Sequence, residues 1–149
     1  MQKYIIREGS INELHSVNIL IKEFSRPYSI KEFNKRLNDK FWIGLVAEDK
    51  SGLIGFKVGY ELEKNIFYSW LGGVILTARR KGVAKALLKE QEERVFKHKF
   101  REIRVKSSYK FQNMTKLLKS NNYKATNIRK STNLKDNKIL FRKISDEDN

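Results

Sequence analysis

The sequence predicts one mixed α/β domain of about seven strands and four helices, in the order βααβββαβαββ. Three observations carry that expectation. Two capping boxes, Ser10 with Glu13 and Ser29 with Glu32, each precede apolar residues at helical spacing. Between Phe41 and Ala78, three β-type runs follow one another with only short polar turns between them. A long amphipathic stretch from Gly82 to Lys97 then separates this meander from further strand-like segments. A chain of 149 residues suits one domain with its own core, and no repeat or linker divides it.

Taken in order, "KYIIR" reads as an opening strand. Ile11, Leu14, Val17, Leu20 or Ile21, and Phe24 extend the first helix to about Phe24, and Pro27 in "SRPYS" breaks it. The second helix carries Ile30, Phe33 and Leu37. "FWIGLVAE", the turn "DKSG", "LIGFKVGYELE", the turn at Lys64 and Asn65, and "IFYSWLGGVIL" make an antiparallel meander. The adjacent Gly72 and Gly73 imply a bulge or a close approach inside the last of these strands. The long helix turns Val83, Ala84, Leu87, Leu88 and Val95 inward and Lys89, Glu92, Glu93 and Lys97 outward. "EIRVKS" is the next strand, and Phe111, Met114 and Leu117 or Leu118 mark a fourth helix. "YKATNIRKS" and "KILFRKI", joined by the turn-like "TNLKDN", close the sheet, and "SDEDN" is a solvated acidic tail.

Composition excludes several chemistries. With no cysteine there is no disulfide, thiolate metal site or thiol nucleophile, and with only His15 and His98 a histidine-built metal site is not expected. The uncharged stretch Phe67 to Ala78 is shorter than the roughly 18 residues of a membrane span, and "MQKYIIREGS" lacks a signal-peptide core. A cytoplasmic protein without a membrane anchor is the expectation. The net charge is +15, unevenly spread. Residues 1–78 hold 11 Lys/Arg against 9 Asp/Glu, whereas residues 79–149 hold 21 against 8. Such a field attracts phosphate-bearing molecules, polyanions or acidic proteins.

The basic half begins at "ILTARRKGVAKALLKEQEERV", where a strand hands over to a helix. A helix N-terminus offers unpaired amides and the positive end of the helix dipole. Gly82 has no Cβ to hold an anion away, Ala84 continues that clearance, and Arg79, Lys81 and Lys85 add charge, so a diphosphate fits better than a carboxylate. The glycine and Lys-Ser/Thr pattern of a Walker loop is absent, as is the glycine triplet of a dinucleotide fingerprint.

These residues resemble the acyl-CoA-binding motif of the GNAT superfamily of N-acetyltransferases: Gln or Arg, two residues, Gly, one residue, then Gly or Ala. Arg79, Gly82 and Ala84 satisfy it, and the element order matches that family over essentially the whole chain. The resemblance implies a GNAT-like, mostly antiparallel sheet flanked by helices, with acetyl-CoA as co-substrate and no metal. It places Gly72 and Gly73 where the family's bulged fourth strand parts from the fifth. It implies that backbone groups of Val74 and Leu76, either side of Ile75, pair with pantetheine, and that an amide near Gly73 or Val74 polarises the acetyl carbonyl. It implies that amides from Lys81 through Gly82, Val83 and Ala84 to Lys85 hold the pyrophosphate, in the charge of Arg79 and Arg80. Leu76 stands where the family usually has proline.

The implied reaction moves an acetyl group from acetyl-CoA to a primary amine by direct attack in a ternary complex. The amine must be neutral to attack, so a base or water relay is needed. Glu61 is the candidate base, with Glu63 beside it and Tyr68 or Ser69 as orienters of a water. The family's usual thiolate-protonating tyrosine falls near Leu118, so Tyr109 is the candidate acid. Asn122 and Tyr123 stand where the family often has Gly and Phe. Trp42, Trp70, Phe41 and Tyr28 are either acceptor-pocket walls or core. A non-catalytic acyl-CoA binder of the same fold and a basic nucleic-acid-binding module are the competing readings. A homodimer through the last strands is compatible with an edge there.

Overall fold

The computed structural model describes residues 3–108, 111–129 and 138–146. They form β1 (Ile5–Glu8), α1 (Ile11–Asn18), α2 (Ile30–Leu37), β2 (Trp42–Asp49), β3 (Gly52–Glu63), β4 (Ile66–Val74), α3 (Val83–Lys97), β5 (Glu102–Ser108), α4 (Gln112–Ser120), β6 (Lys124–Arg129) and β7 (Lys138–Ile144). The predicted order holds throughout. The turn "TNLKDN" and the acidic tail beyond Asp146 lie outside the described residues.

Both capping boxes form: Ser10 and Ser29 each accept from the amide three residues on, and Glu13 and Glu32 reach back to the cap amides. The first helix is shorter than its apolar spacing predicts. It ends at Asn18, and the chain then advances through single-turn bonds, Leu20 to Val17, Ile21 to Asn18 and Phe24 to Ile21. Ile21 is thereby buried while Ile19 and Leu20 face solvent. α4 ends in a Schellman motif, Tyr123 N–H to Leu118 C=O at 3.0 Å and Asn122 N–H to Lys119 C=O at 3.2 Å. Asn122 takes the left-handed conformation this motif requires, at φ +70°.

One seven-stranded sheet runs in the order β1-β2-β3-β4-β5-β7-β6. Every pairing is antiparallel except β4 with β5, which is parallel. That parallel pairing stops early, because only Ile66 to Ser69 pair, with Glu102 to Val105. β4 continues to Val74 and β5 to Ser108, and their facing edges are unpaired over that length. The sheet therefore opens between two of its central strands.

Two apolar layers sandwich it. One side packs α3 and α4 through Leu87, Leu88, Val95 and Leu118 against Phe67, Ile103 and Phe141. The other packs α1 and α2 through Leu14, Val17, Phe33 and Leu37 against Val46, Phe56, Val58 and Trp70. Full burial of such a side chain contributes about 1.5–3 kcal/mol. Glu92 corrects the expected polarity of α3: it is 5% exposed, and it bonds Lys143 of β7 at 3.2 Å. Gln91 beside it is fully buried. The inward stripe of α3 is wider than its leucines alone define.

Candidate functional site

The strand-to-helix passage turns on two left-handed residues. After β4, Leu76–Ala78 form one 3-10 turn; Arg80 then adopts φ +64° and Gly82 φ +81° as the N-cap of α3. No side chain caps the helix, so the amides of its first turn are open. A Cβ at Gly82 would meet nothing within 4 Å, which makes the glycine a matter of backbone conformation and clearance, not packing. Val83 is buried and anchors the helix, leaving only its amide for a ligand, while Ala84 packs partly against the same layer. Arg80, Lys81 and Lys85 are exposed around the amides. Gly82, the open first-turn amides and these three cations therefore lie together on one loop.

Arg79 is committed elsewhere. Its guanidinium binds both carboxylate oxygens of Glu23, at 2.6 and 2.7 Å, and its Nε donates to the Val74 carbonyl at 3.0 Å. The hydrogen bond that Arg79 donates to Glu23 raises the Arg79 pKa, and the same bond holds the Glu23 carboxyl below its usual range. Arg79 thus ties the loop after α1 to the end of β4 and is not aimed at the open amides. Val74 is the last residue of β4, the Ile75 amide donates to Ile54 C=O at 2.9 Å, and exposed Leu76 lies in the 3-10 turn.

The bulge in β4 falls at Trp70, because Val58 pairs with Leu71 and Gly59 with Ser69. Gly72 and Gly73 pair regularly with Lys57 and Phe56, which corrects the expectation of a bulge at the glycines. Close approach is their reason instead. A Cβ at Gly73 would stand 2.9 Å from Ile21 Cγ1 and Cδ1, and one at Gly72 would stand 3.3 Å from Lys57 Cγ.

Other predicted residues are not brought to the loop. Glu61 is exposed and pairs with Phe67, five positions along β4 from Gly72, or about 17 Å at strand rise. Glu63 lies further out, opposite Ile66. Tyr109 lies outside the described residues. Leu118 is fully buried in the α4 layer. His98 Nδ1 donates to the Arg94 carbonyl, 2.8 Å away, beside the ring of Phe41, and His15 meets Phe33 edge-on. A cleft of about 490 Å³ lined by Leu37, Asn38, Lys40 and Trp42 includes no residue of the strand-to-helix loop. No group of three His, Asp or Glu among the described residues is placed to hold a metal. None of the helices among these residues is long and apolar enough to cross a membrane.

On the α1/α2 face, next to the opening in the sheet, an aromatic wall gathers. Trp70 packs against Tyr28 at 5.1 Å, Phe33 at 5.2 Å and Tyr60 at 6.1 Å between ring centres. Arg36 stacks on Trp70 at 4.8 Å and donates to the Tyr60 hydroxyl at 3.2 Å. Phe41 belongs elsewhere, against Phe100. Tyr68 edges Tyr60 at 5.6 Å, and burial, then the Tyr60 phenol, push its pKa up to about 12. Tyr68 therefore stays protonated near neutral pH. Ser69 is buried at the last rung shared with β5.

Sequence reasoning passed over Lys57. It is 6% exposed on β3, and burial lowers its pKa to about 8 against an opposing pull from Glu92. The signal was present: in "GFKVG" a single lysine interrupts an apolar alternation between two glycines.

No family model matches the sequence, and no curated protein matches it. Solved structures do match the fold. The ribosomal-protein-alanine N-acetyltransferase of Escherichia coli superposes with a TM-score of 0.80 over 93% of this chain and 92% of its own, at 13% identity. A chain of the NatC complex bound to Gag peptide and CoA gives 0.80 over 97% and 99%, at 18% identity. A GNAT superfamily phosphinothricin acetyltransferase of Sinorhizobium meliloti, in complex with acetyl-CoA, gives 0.78 over 96% and 89%, at 17% identity.

Proposed function

We propose that this chain, which has the fold of the GNAT superfamily N-acetyltransferases, transfers an acetyl group from acetyl-CoA to an amine. The observation that carries the reading is the meeting of two features. An uncapped helix N-terminus with left-handed Gly82 at its mouth follows a strand that has parted from its neighbour. Diphosphate oxygens accept from the amides of residues 82–85, with Lys81, Arg80 and Lys85 supplying counter-charge. Pantetheine, an extended chain with two amides, enters the opening between β4 and β5 and pairs with main-chain groups as an added strand does. The acetyl carbonyl then lies at the level of Gly72 and Gly73, where a free strand amide polarises it.

The acceptor amine approaches from the α1/α2 face, along Tyr28, Arg36, Tyr68 and Trp70. It attacks within a ternary complex, and its proton leaves through water held near the Tyr68 phenol. Arg79 acts through Glu23, fixing the loop that closes over this side. The test is release of free CoA thiol from acetyl-CoA over a panel of primary amines and peptide N-termini. Amine-dependent release that disappears in Gly82→Asp supports the reading. Tight acetyl-CoA binding without amine-dependent release from any acceptor would favour a non-catalytic acyl-CoA binder.

A further inference from the structure

Lys57 is a buried cation at the opening in the sheet. It pairs with Gly72 across β3 and β4, and a Cβ on Gly72 would lie 3.3 Å from its Cγ and 3.4 Å from its Nζ. The lysine stem therefore lies across β4 where β4 has no side chain. The ammonium therefore lies over Gly72, within the width of β4 from that strand's far edge. At Gly72 that edge has left β5 and pairs with no strand.

Glu92 of α3 attracts the ammonium across the interior, but its carboxylate is bonded to Lys143 of β7 at 3.2 Å and lies 3.8 Å from Lys89. Tyr123, after α4, is 3% exposed, and burial followed by the Glu92 charge holds its phenol far above its ordinary value. β5 presents Ser107, whose buried hydroxyl has no hydrogen-bond partner, and β4 presents Gly72. The Tyr123 hydroxyl and the Gln91 amide are buried without hydrogen-bond partners as well. Buried polar groups left without protein partners on β5 and α3 leave capacity for a polar group that arrives from outside.

We propose that Lys57 protonates the coenzyme A sulfur as the acetyl group leaves, the role that buried Leu118 cannot fill. The inference rests on acetyl-CoA entering the opening between β4 and β5. The neutral amine attacks the acetyl carbonyl carbon and a C–N bond forms. The C–S bond breaks, its electron pair stays on sulfur, and one Nζ–H proton passes to that sulfur. The attacking nitrogen sheds its extra proton to water, and neutral Lys57 recovers one from solvent. A lysine held near 8 is still an ammonium at neutral pH. Its acidity lies close to that of a thiol, about 8.5, so the transfer is nearly balanced.

The experiment is an ultraviolet titration of the CoA thiol, free and bound to the protein, in wild type, Lys57→Met and Lys57→Arg. The bound thiol should ionise about one pH unit lower than free CoA in wild type and in Lys57→Arg, and at or above free CoA in Lys57→Met. Equal titration of free and bound thiol in wild type overturns the proposal while leaving the CoA site standing. Absence of CoA binding to wild type overturns both. The wild-type comparison decides the matter even where Lys57→Met does not fold.

Discussion

Arg79 and Glu23 form a two-pronged ion pair, 2.6 and 2.7 Å, between residues 56 positions apart. With its Nε on the Val74 carbonyl at 3.0 Å, the same arginine joins the α1–α2 connection to the end of β4. The position that the resemblance places in the ligand's charge is, in this fold, a structural tie.

A double-mutant cycle measures that tie. Arg79→Lys loses the planar fork, and Glu23→Gln loses the charge. Each should destabilise by about 1 kcal/mol, since the pair is only partly shielded from solvent. The double mutant should lose no more than the worse single. Additive losses in chemical denaturation would show that the two residues act independently.

Gly82 separates fold from ligand. Asp tolerates the left-handed region better than most residues, and a side chain there meets no atom within 4 Å. Gly82→Asp should therefore cost about 1 kcal/mol or less in stability while weakening CoA binding more than tenfold through carboxylate-phosphate repulsion. Gly82→Ala should keep most of the affinity. Thermal denaturation and calorimetry on the same preparations check both halves.

Gly73→Ala tests why the glycine pair exists. The new methyl would stand 2.9 Å from Ile21, so the α1 side must give way, at about 1–3 kcal/mol. Ile21→Val removes the Cδ1 contact and should recover part of that loss in thermal denaturation. If Gly73→Ala is neutral, the close approach is not what selects glycine.

Lys57 makes stability depend on pH in a set direction. Its folded pKa of about 8 lies below the ordinary 10.5, so between those values the unfolded chain holds more protons and stability rises with pH. Relative to Lys57→Met, wild type should gain up to about 3 kcal/mol between pH 8 and 10.5 in the absence of ligand. A pH-independent difference would show that Lys57 is not buried as a cation.

Local signals made most of the fold legible in the sequence. Ser10 with Glu13 and Ser29 with Glu32 are contained within four residues, and both boxes formed. The backbone from Arg79 to Lys85 was legible for the same reason: one glycine leads into an uncapped helix start. What was hidden depends on distant partners. Glu92 reads as outward until Lys143, 51 residues later, is brought beside it. The end of α1 at Asn18 is set by Ile21 seating over Gly73 and by Phe24 meeting Phe111 at 6.3 Å. Apolar spacing continues through those residues and cannot show where the chain turns. Glu61 stands near Ile66 because the turn after it is short, whereas Gly72 lies six residues further along β4.

Calorimetric titration of the purified protein with acetyl-CoA at physiological salt, beside adenosine diphosphate and a short nucleic-acid duplex, tests the central claim most directly. Saturable one-to-one binding of acetyl-CoA, at least tenfold tighter than the diphosphate alone and unmatched by the duplex, is the predicted result. Equal affinity for acetyl-CoA and adenosine diphosphate would mean that nothing beyond the helix N-terminus engages the ligand. No acetyl-CoA binding, with salt-sensitive binding of the duplex, would contradict the account.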